Sequence, residues 1–457
     1  MTETTPLREL DVRTVDGCRV LSSPDLGYAD GAEQRLYDIV QAASDLSSSS
    51  LELAEAATDW GTTYSLVPTR ANVVRGLDLP PDAKVLEIGC GCGPITRYLG
   101  EQCAVVDSVE PMPARARVAR ARSRDLTSVE VFVGTLDDVP AVPTYDVVMV
   151  IGVLEYVGLG VLDADPYLTF LRQCHAVLKD GGTLVVAIEN PLGVKYISGA
   201  VEDHTNRPFD SLEGYALQSP ARTFPRQVLQ GLLADSGFAS EVLAAFPDYK
   251  LPRAVMNDTM FRASEQLAEG LPRFPSPDYL VPRLNLADEG LTWSTLVASG
   301  VAEHFANSFI ALATKGSGPR CGRATATRCC STPSVSPSTR CAARSGAAGT
   351  TCTWCVVPSI RSGPGPPVTT CPCGTPSPRP NLWSPAGISS RCSWRSRPAG
   401  RSCCGDGRTS SRTPSGPRWT SSRTTSSSLP ATSWSPSTRS GATAGTTGTP
   451  CCCAASS

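Results

Sequence analysis

The first 314 residues alternate between short continuous apolar runs and stretches whose apolar residues recur at helical spacing. Apolar runs occur at 85–88, 104–109, 129–133, 145–151, 183–188, 240–246 and 307–313. Each has the length and composition of a strand buried on both faces. Between them, Leu168, Leu171, His175 and Leu178 keep a helical period, and 226–233 forms a second such stretch ending near Gly237. Upstream of the first run, Leu36, Ile39, Val40 and Ala43 mark a helix over 31–46 that the serines of 47–50 interrupt. Ser49 and Glu52 have capping-box spacing for a helix over 51–60, and Pro68 suits the first turn of a helix that stops at Gly76. Residues 1–80 therefore predict a helical segment preceding a strand–helix domain over 81–314, with an insertion at about 250–304.

One junction concentrates the candidate chemistry. The run 85–88 ends in Gly89-Cys90-Gly91-Cys92-Gly93-Pro94, after which helical spacing resumes. Glycines at alternate positions let backbone approach a ligand and adopt positive φ, so the turn predicts a nucleotide-type site. A dinucleotide fingerprint requires G-x-G-x-x-G, whereas here the third glycine comes one residue early. Glu87 precedes the loop, where a carboxylate repels pyrophosphate and suits a cationic ligand. Glu110 ends the next strand, positioned to accept from a ribose diol.

E-x-G-x-G-x-G followed by an acid ending the second strand resembles motif I and the acidic position of class I S-adenosyl-L-methionine (SAM)-dependent methyltransferases. The resemblance continues in order. Gly134, Thr135, Leu136, Asp137 and Asp138 resemble the adenine loop, with Thr135 where the family often has an acid and Asp137 as its substitute. Residues 145–156 resemble the fourth strand and the loop facing the transferred methyl, and 178–190 resemble the Gly-Gly turn and fifth strand. The resemblance implies a Rossmann-like, seven-stranded α/β sheet, mostly parallel with the last strand antiparallel, flanked by helices. It also implies a SAM site formed by Glu87, Gly89, Cys90, Gly91, Gly93, Glu110, Thr135, Leu136, Asp137 and Gly152, and it places Glu155 and Tyr156 near the methyl. In this family the N-terminal helices often cover the pocket, so Trp60, Tyr64 and Arg70 line it or serve as scaffold. A narrower resemblance, carried by Ala187-Ile188-Glu189-Asn190, Lys195-Tyr196, Glu202-Asp203-His204 and Phe246-Pro247-Asp248-Tyr249-Lys250, is to a bacterial branch found with glycan and cell-envelope biosynthesis enzymes.

Among the histidines, His204 lies beside Asp203 just past the fifth strand, where an imidazole oriented by a carboxylate suits a general base. An ordinary solvated loop histidine is the alternative. His175 falls on a helix flank, and His304 lies near a strand start. Cys90 and Cys92, two residues apart without a nearby histidine, are expected to be small turn residues and not metal ligands, and no metal is expected.

Charge changes the picture of the whole chain. Residues 1–314 carry 24 Lys+Arg against 42 Asp+Glu, while 315–457 carry 17 against 1. The acidic first part argues against nucleic acid or an anionic membrane as partner. With no apolar leader or long apolar run and five cysteines in that part, a cytoplasmic protein is expected. From Gly316 on there is no Phe, Tyr, Met, His, Lys, Glu or Gln, but there are fourteen cysteines. All but ten of these residues belong to types whose second codon base is C or G. The segment reads as a disordered low-complexity tail, produced by out-of-frame translation of a GC-rich gene or, alternatively, a genuine basic tail. The expected activity is methyl transfer from SAM to a small-molecule or sugar-containing acceptor, with acceptor atom and oligomeric state open. The competing readings are a catalytically silent SAM-fold binding module and a nicotinamide-dependent oxidoreductase.

Overall fold

A computed structural model describes residues 5–23, 31–158, 165–215, 219, 221–263, 275–279, 282–316 and 322–323. The tail past Arg323, with its frameshift reading, lies outside the described residues. The strands are β1 (Thr14–Val15), β2 (Cys18–Val20), β3 (Leu77–Asp78), β4 (Lys84–Ile88), β5 (Val105–Glu110), β6 (Val129–Val133), β7 (Tyr145–Ile151), β8 (Leu178–Glu189), β9 (Phe238–Phe246), β10 (Ala254–Met256), β11 (Ser308–Lys315) and β12 (Gly322–Arg323).

Ten of them form one sheet in the order β1-β2-β6-β5-β4-β7-β8-β11-β9-β10. From β6 to β8 the pairs are parallel, and β11 inserts antiparallel between β8 and β9. Chain order reverses between β4 and β7, and a crevice at the carboxyl ends of two such strands is where open α/β sheets bind ligands. The seven strands expected from the apolar runs are all present in this doubly wound arrangement. Their residues are buried because helices cover both faces; every residue of β5 and of β7 is buried.

The additions lie at the edges. At one edge β1 and β2 form a hairpin whose second strand runs parallel to β6, and at the other β10 pairs antiparallel with β9. No apolar periodicity marks the first hairpin. The segment before it is held by an internal acid: Asp107, fully buried in β5, accepts from Thr5 Oγ1 (2.6 Å), Arg8 Nε (2.6 Å) and Tyr145 Oη (2.8 Å). The Arg8 guanidinium also donates to the carbonyls of Val106 and Ser128, which straps the N-terminal segment across the strand ends.

The N-terminal helices differ from expectation in their caps. The helix over 51–60 is two helices, Leu51–Glu55 and Trp60–Leu66. Ser50, not Ser49, caps the first, and Glu52 is unavailable for a capping box because its carboxylate takes the amides of Ser44 and Asp45. Asp59 and Thr62 form the reciprocal cap of the second. Pro68 opens a short 3-10 turn, Pro68–Ala71, that continues as Asn72–Arg75. Past the methyltransferase-like part, Gly322–Arg323 pairs with Leu77–Asp78, so the stretch after Gly316 makes at least this contact with the fold. Among the described residues, no helix is long and apolar enough to cross a membrane.

Candidate active site

The glycine loop joins β4 to the helix Pro94–Gln102, and its three glycines all have positive φ. They do different things. A Cβ on Gly89 would lie 2.4 Å from Val153 Cγ2, and one on Gly93 would lie 2.7 Å from the Ala119 backbone. Both glycines let neighbouring elements close in. Gly91 faces open space, with nothing within 4 Å of a Cβ built there. Its amide donates to Glu110 Oε2 (2.8 Å), and Met112 N donates to Glu110 Oε1 (3.1 Å). An open loop beside an acid that ends the neighbouring strand fits the methionine and ribose parts of SAM.

Glu87 sits behind the loop. It is 3% exposed and accepts from Thr96 Oγ1 (2.6 Å) and Ser108 Oγ (2.9 Å). Burial pushes its carboxyl up to about 7 against the opposing pull of those two hydroxyls. Its contacts fasten β4, β5 and the following helix together, so its route to a ligand is through the loop it braces. Cys90 is buried in the apolar core. Among the described residues no metal-type cluster includes a cysteine.

The adenine-loop residues cap a 3-10 turn, Leu136–Asp138: Thr135 N donates to Asp138 Oδ2 (2.8 Å), and Leu136 is buried. The Asp137 carboxylate accepts from Gln173 Nε2 (2.6 Å), so it is directed toward the helix Pro166–Val177. Gly152, at the end of β7, leaves room for Tyr249, whose hydroxyl would lie 2.6 Å from a Cβ there.

Past the carboxyl ends of β7 and β8 the chain gathers a group of charged side chains. Glu155 and Glu189 are each 1% exposed, and with His204 their ligand-type atoms all lie within 4.8 Å of one another. His204 Nδ1 lies 2.8 Å from Glu202 Oε1, and Glu202 Oε2 takes the amides of His204 and Thr205. The expected Asp203–His204 pair is therefore replaced. Asp203 faces away and receives Lys195 Nζ (2.7 Å) and Lys250 Nζ, because two buried ammonium groups need a carboxylate more than an imidazole does. Lys250 also lies 2.7 Å from Glu189 Oε1. Tyr156, 41% exposed, presents its ring edge-on to His204, and Tyr249 Oη donates to Glu155 Oε1 (3.3 Å).

Electrostatics follow from this packing. Burial pushes Glu155 up to about 8, with Glu189 adding to it. Burial also works against charge on His204, but Glu189, Glu202 and Glu155 outweigh it and raise the imidazole to about 9. Burial would raise Asp203 and Glu189, yet Lys195 with Lys250 hold the first well below the carboxylate range and Lys250 holds the second down. Glu189, Glu202, Lys195, Lys250 and Tyr249 were not among the sequence-derived site residues. An acid ending an apolar strand, the signal that picked out Glu110, also marks Glu189.

The N-terminal helices reach this region. Arg70 donates to the Tyr249 and Lys250 carbonyls and to Tyr64 Oη (2.8 Å), and Trp60 stacks on Tyr279 with centroids 3.9 Å apart. They brace the turn that delivers Lys250.

The strand order, the glycine loop and the acid after it define a class I SAM-dependent methyltransferase domain, with SAM as its cofactor. The family described as "Methyltransferase domain" matches residues 86–184. The chain is similar to a ubiquinone biosynthesis O-methyltransferase of Xanthomonas campestris pv. campestris, 28% identical over 177 residues, covering 36% of this chain and 71% of the relative. It is also similar to the mitochondrial human protein of the same description, 32% identical over 124 residues, 26% of this chain and 32% of that one. The structure aligns with geranyl diphosphate C-methyltransferase from Streptomyces coelicolor A3(2) at 14% identity and TM-score 0.34, over 62% of this chain and 88% of that one.

Proposed function

We propose that the protein transfers the methyl group of SAM to a small-molecule acceptor held over the carboxyl ends of β7 and β8. The observation that carries this reading is the open face of Gly91 hydrogen-bonded to Glu110, next to strand ends that also carry Glu155 and Glu189. In this reading Gly91 and Glu110 receive the methionine and ribose parts, and residues 135–137 lie along the adenine side. SAM supplies an electrophilic methyl when bound. The chain's own task is alignment and removal of the acceptor's proton. Glu155, Glu189 and His204 form the polar group positioned for that proton, and Glu202 orients the imidazole. The similarity to proteins described as ubiquinone biosynthesis O-methyltransferases favours a hydroxyl acceptor. Sugar-containing acceptors remain within the same reading through the narrower resemblance around Glu202-Asp203-His204.

The test is incubation of the purified protein with methyl-labelled SAM and small-molecule extracts, followed by mass spectrometry. A protein-dependent labelled product of low mass supports the reading. Binding of SAM with no labelled product from any extract would identify a silent binding module.

A further inference from the structure

Glu155 and Glu189 present an unusual combination. Each is 1% exposed, and each has its Oε1 engaged: Glu155 by Tyr249 Oη at 3.3 Å, Glu189 by Lys250 Nζ at 2.7 Å. Oε2 of both is buried with no hydrogen-bond partner. Buried carboxylate oxygens without partners are costly and rare, and they point to a ligand. His204 lies beside them and is similarly prepared. Its Nδ1 is taken by Glu202, which leaves Nε2 as the nitrogen that can ligate an ion once its proton is displaced, and a carboxylate behind an imidazole is the usual support of a metal-binding histidine. The donor atoms of Glu155, Glu189 and His204 lie within 4.8 Å of one another, a span that one ion can bridge with small side-chain adjustments.

The three residues come from separate elements at the carboxyl ends of the central strands: the turn after β7, the last residue of β8 and the loop after the helix Val194–Ile197. Around them stand four carboxyl groups, of Glu155, Glu189, Glu202 and Asp203, and two ammonium groups, of Lys195 and Lys250.

We propose that Glu155, Glu189 and His204 bind one divalent first-row metal ion, through Oε2 of each glutamate and Nε2 of the imidazole. The mixed oxygen and nitrogen set favours Mn²⁺ or Zn²⁺ over Mg²⁺ or Ca²⁺, which take oxygen ligands. Three protein ligands leave further coordination positions for water or an acceptor oxygen. The site shares its residues with the group proposed above for the acceptor's proton and so rests on that reading of the pocket; its occupancy is measured without SAM or an acceptor, so its failure leaves methyl transfer standing.

Mn²⁺ is the probe, because the fourteen cysteines after Gly316 compete for thiophilic Zn²⁺. The full-length chain, stripped with chelator and desalted, is titrated with Mn²⁺ and followed by electron paramagnetic resonance. One Mn²⁺ per chain is expected, with nitrogen modulation from a coordinated imidazole in the pulsed experiment. His204→Gln removes that modulation. Glu189→Gln weakens binding, and Glu202→Gln weakens it by about 10–100-fold while keeping the nitrogen signal, as the loss of a supporting carboxylate does. Circular dichroism on each variant separates lost binding from lost folding. Absence of stoichiometric Mn²⁺ binding by the folded wild-type chain, or binding and nitrogen modulation unchanged in His204→Gln and Glu189→Gln, overturns the proposal.

Discussion

His204 Nδ1 lies 2.8 Å from Glu202 Oε1, two residues before it, while its immediate neighbour Asp203 turns to Lys195 and Lys250. The imidazole is thereby oriented by one acid and the lysines are neutralised by the other. The two carboxylates cannot exchange roles without leaving a buried charge unpaired.

A prediction follows for chemistry. His204→Ala keeps SAM affinity but lowers turnover by a factor on the order of 10²–10⁴, the range of a lost proton-handling group. Glu202→Gln lowers turnover less, because the amide still accepts at one position. Turnover measured with an identified acceptor checks this, and full activity in His204→Ala refutes the role.

The N-terminal strap gives a stability prediction. Asp107→Ala leaves Arg8 buried without its anion and also removes the acceptor of Thr5 and Tyr145. The expected loss is about 3–5 kcal/mol, as for breaking one side of a buried pair. Urea unfolding checks it; a loss under about 1 kcal/mol, the value of an exposed pair, contradicts the strap.

Glu87 predicts a pH dependence. Its folded carboxyl is raised to about 7 from an ordinary 4.5, so the folded state binds the proton more tightly than the unfolded state. The stability associated with the neutral acid is fully present below about pH 4.5 and lost as pH rises to about 7. Glu87→Gln mimics the neutral acid. The variant should match wild type near pH 4.5 and exceed it by about 3 kcal/mol above pH 7. Thermal melts across that range check the gap, and a gap independent of pH removes the explanation.

Much of the fold was legible because buried parallel strands are written as continuous apolar runs, and because Gly89, Gly91 and Gly93 punctuate the first of them. The strap was not legible, since Thr5 and Arg8 bind Asp107 across roughly a hundred positions and carry no local period. Asp107 itself was the available signal: an acid inside a buried strand requires partners. The His204 region was legible as a place and not as an arrangement. Adjacency suggested Asp203, whereas the loop's backbone directs Glu202 to the ring and Asp203 to lysines 8 and 47 positions away. Likewise, three alternating glycines look equivalent in sequence, but two accommodate Val153 and Ala119 while Gly91 faces open space.

For the C-terminal segment we propose out-of-frame translation. Resequencing the gene across the codons for Thr314 to Arg320 should reveal a missing or extra base. Removing residues 324–457, which retains the pairing of Gly322–Arg323 with Leu77–Asp78, should leave the unfolding transition and SAM affinity unchanged. A confirmed reading frame together with a loss of stability on truncation would make the segment a genuine part of the protein.

The central claim is that the loop at Gly91 and the acid at Glu110 form a SAM site. Isothermal titration of the full chain with SAM, S-adenosylhomocysteine and NAD tests it most directly. SAM and S-adenosylhomocysteine should bind and NAD should not. Gly91→Val should abolish binding by filling the open face, and Glu110→Ala should weaken it by about 1–3 kcal/mol through unpaired polar partners. Tight NAD binding, or SAM affinity unchanged in both variants, contradicts the account.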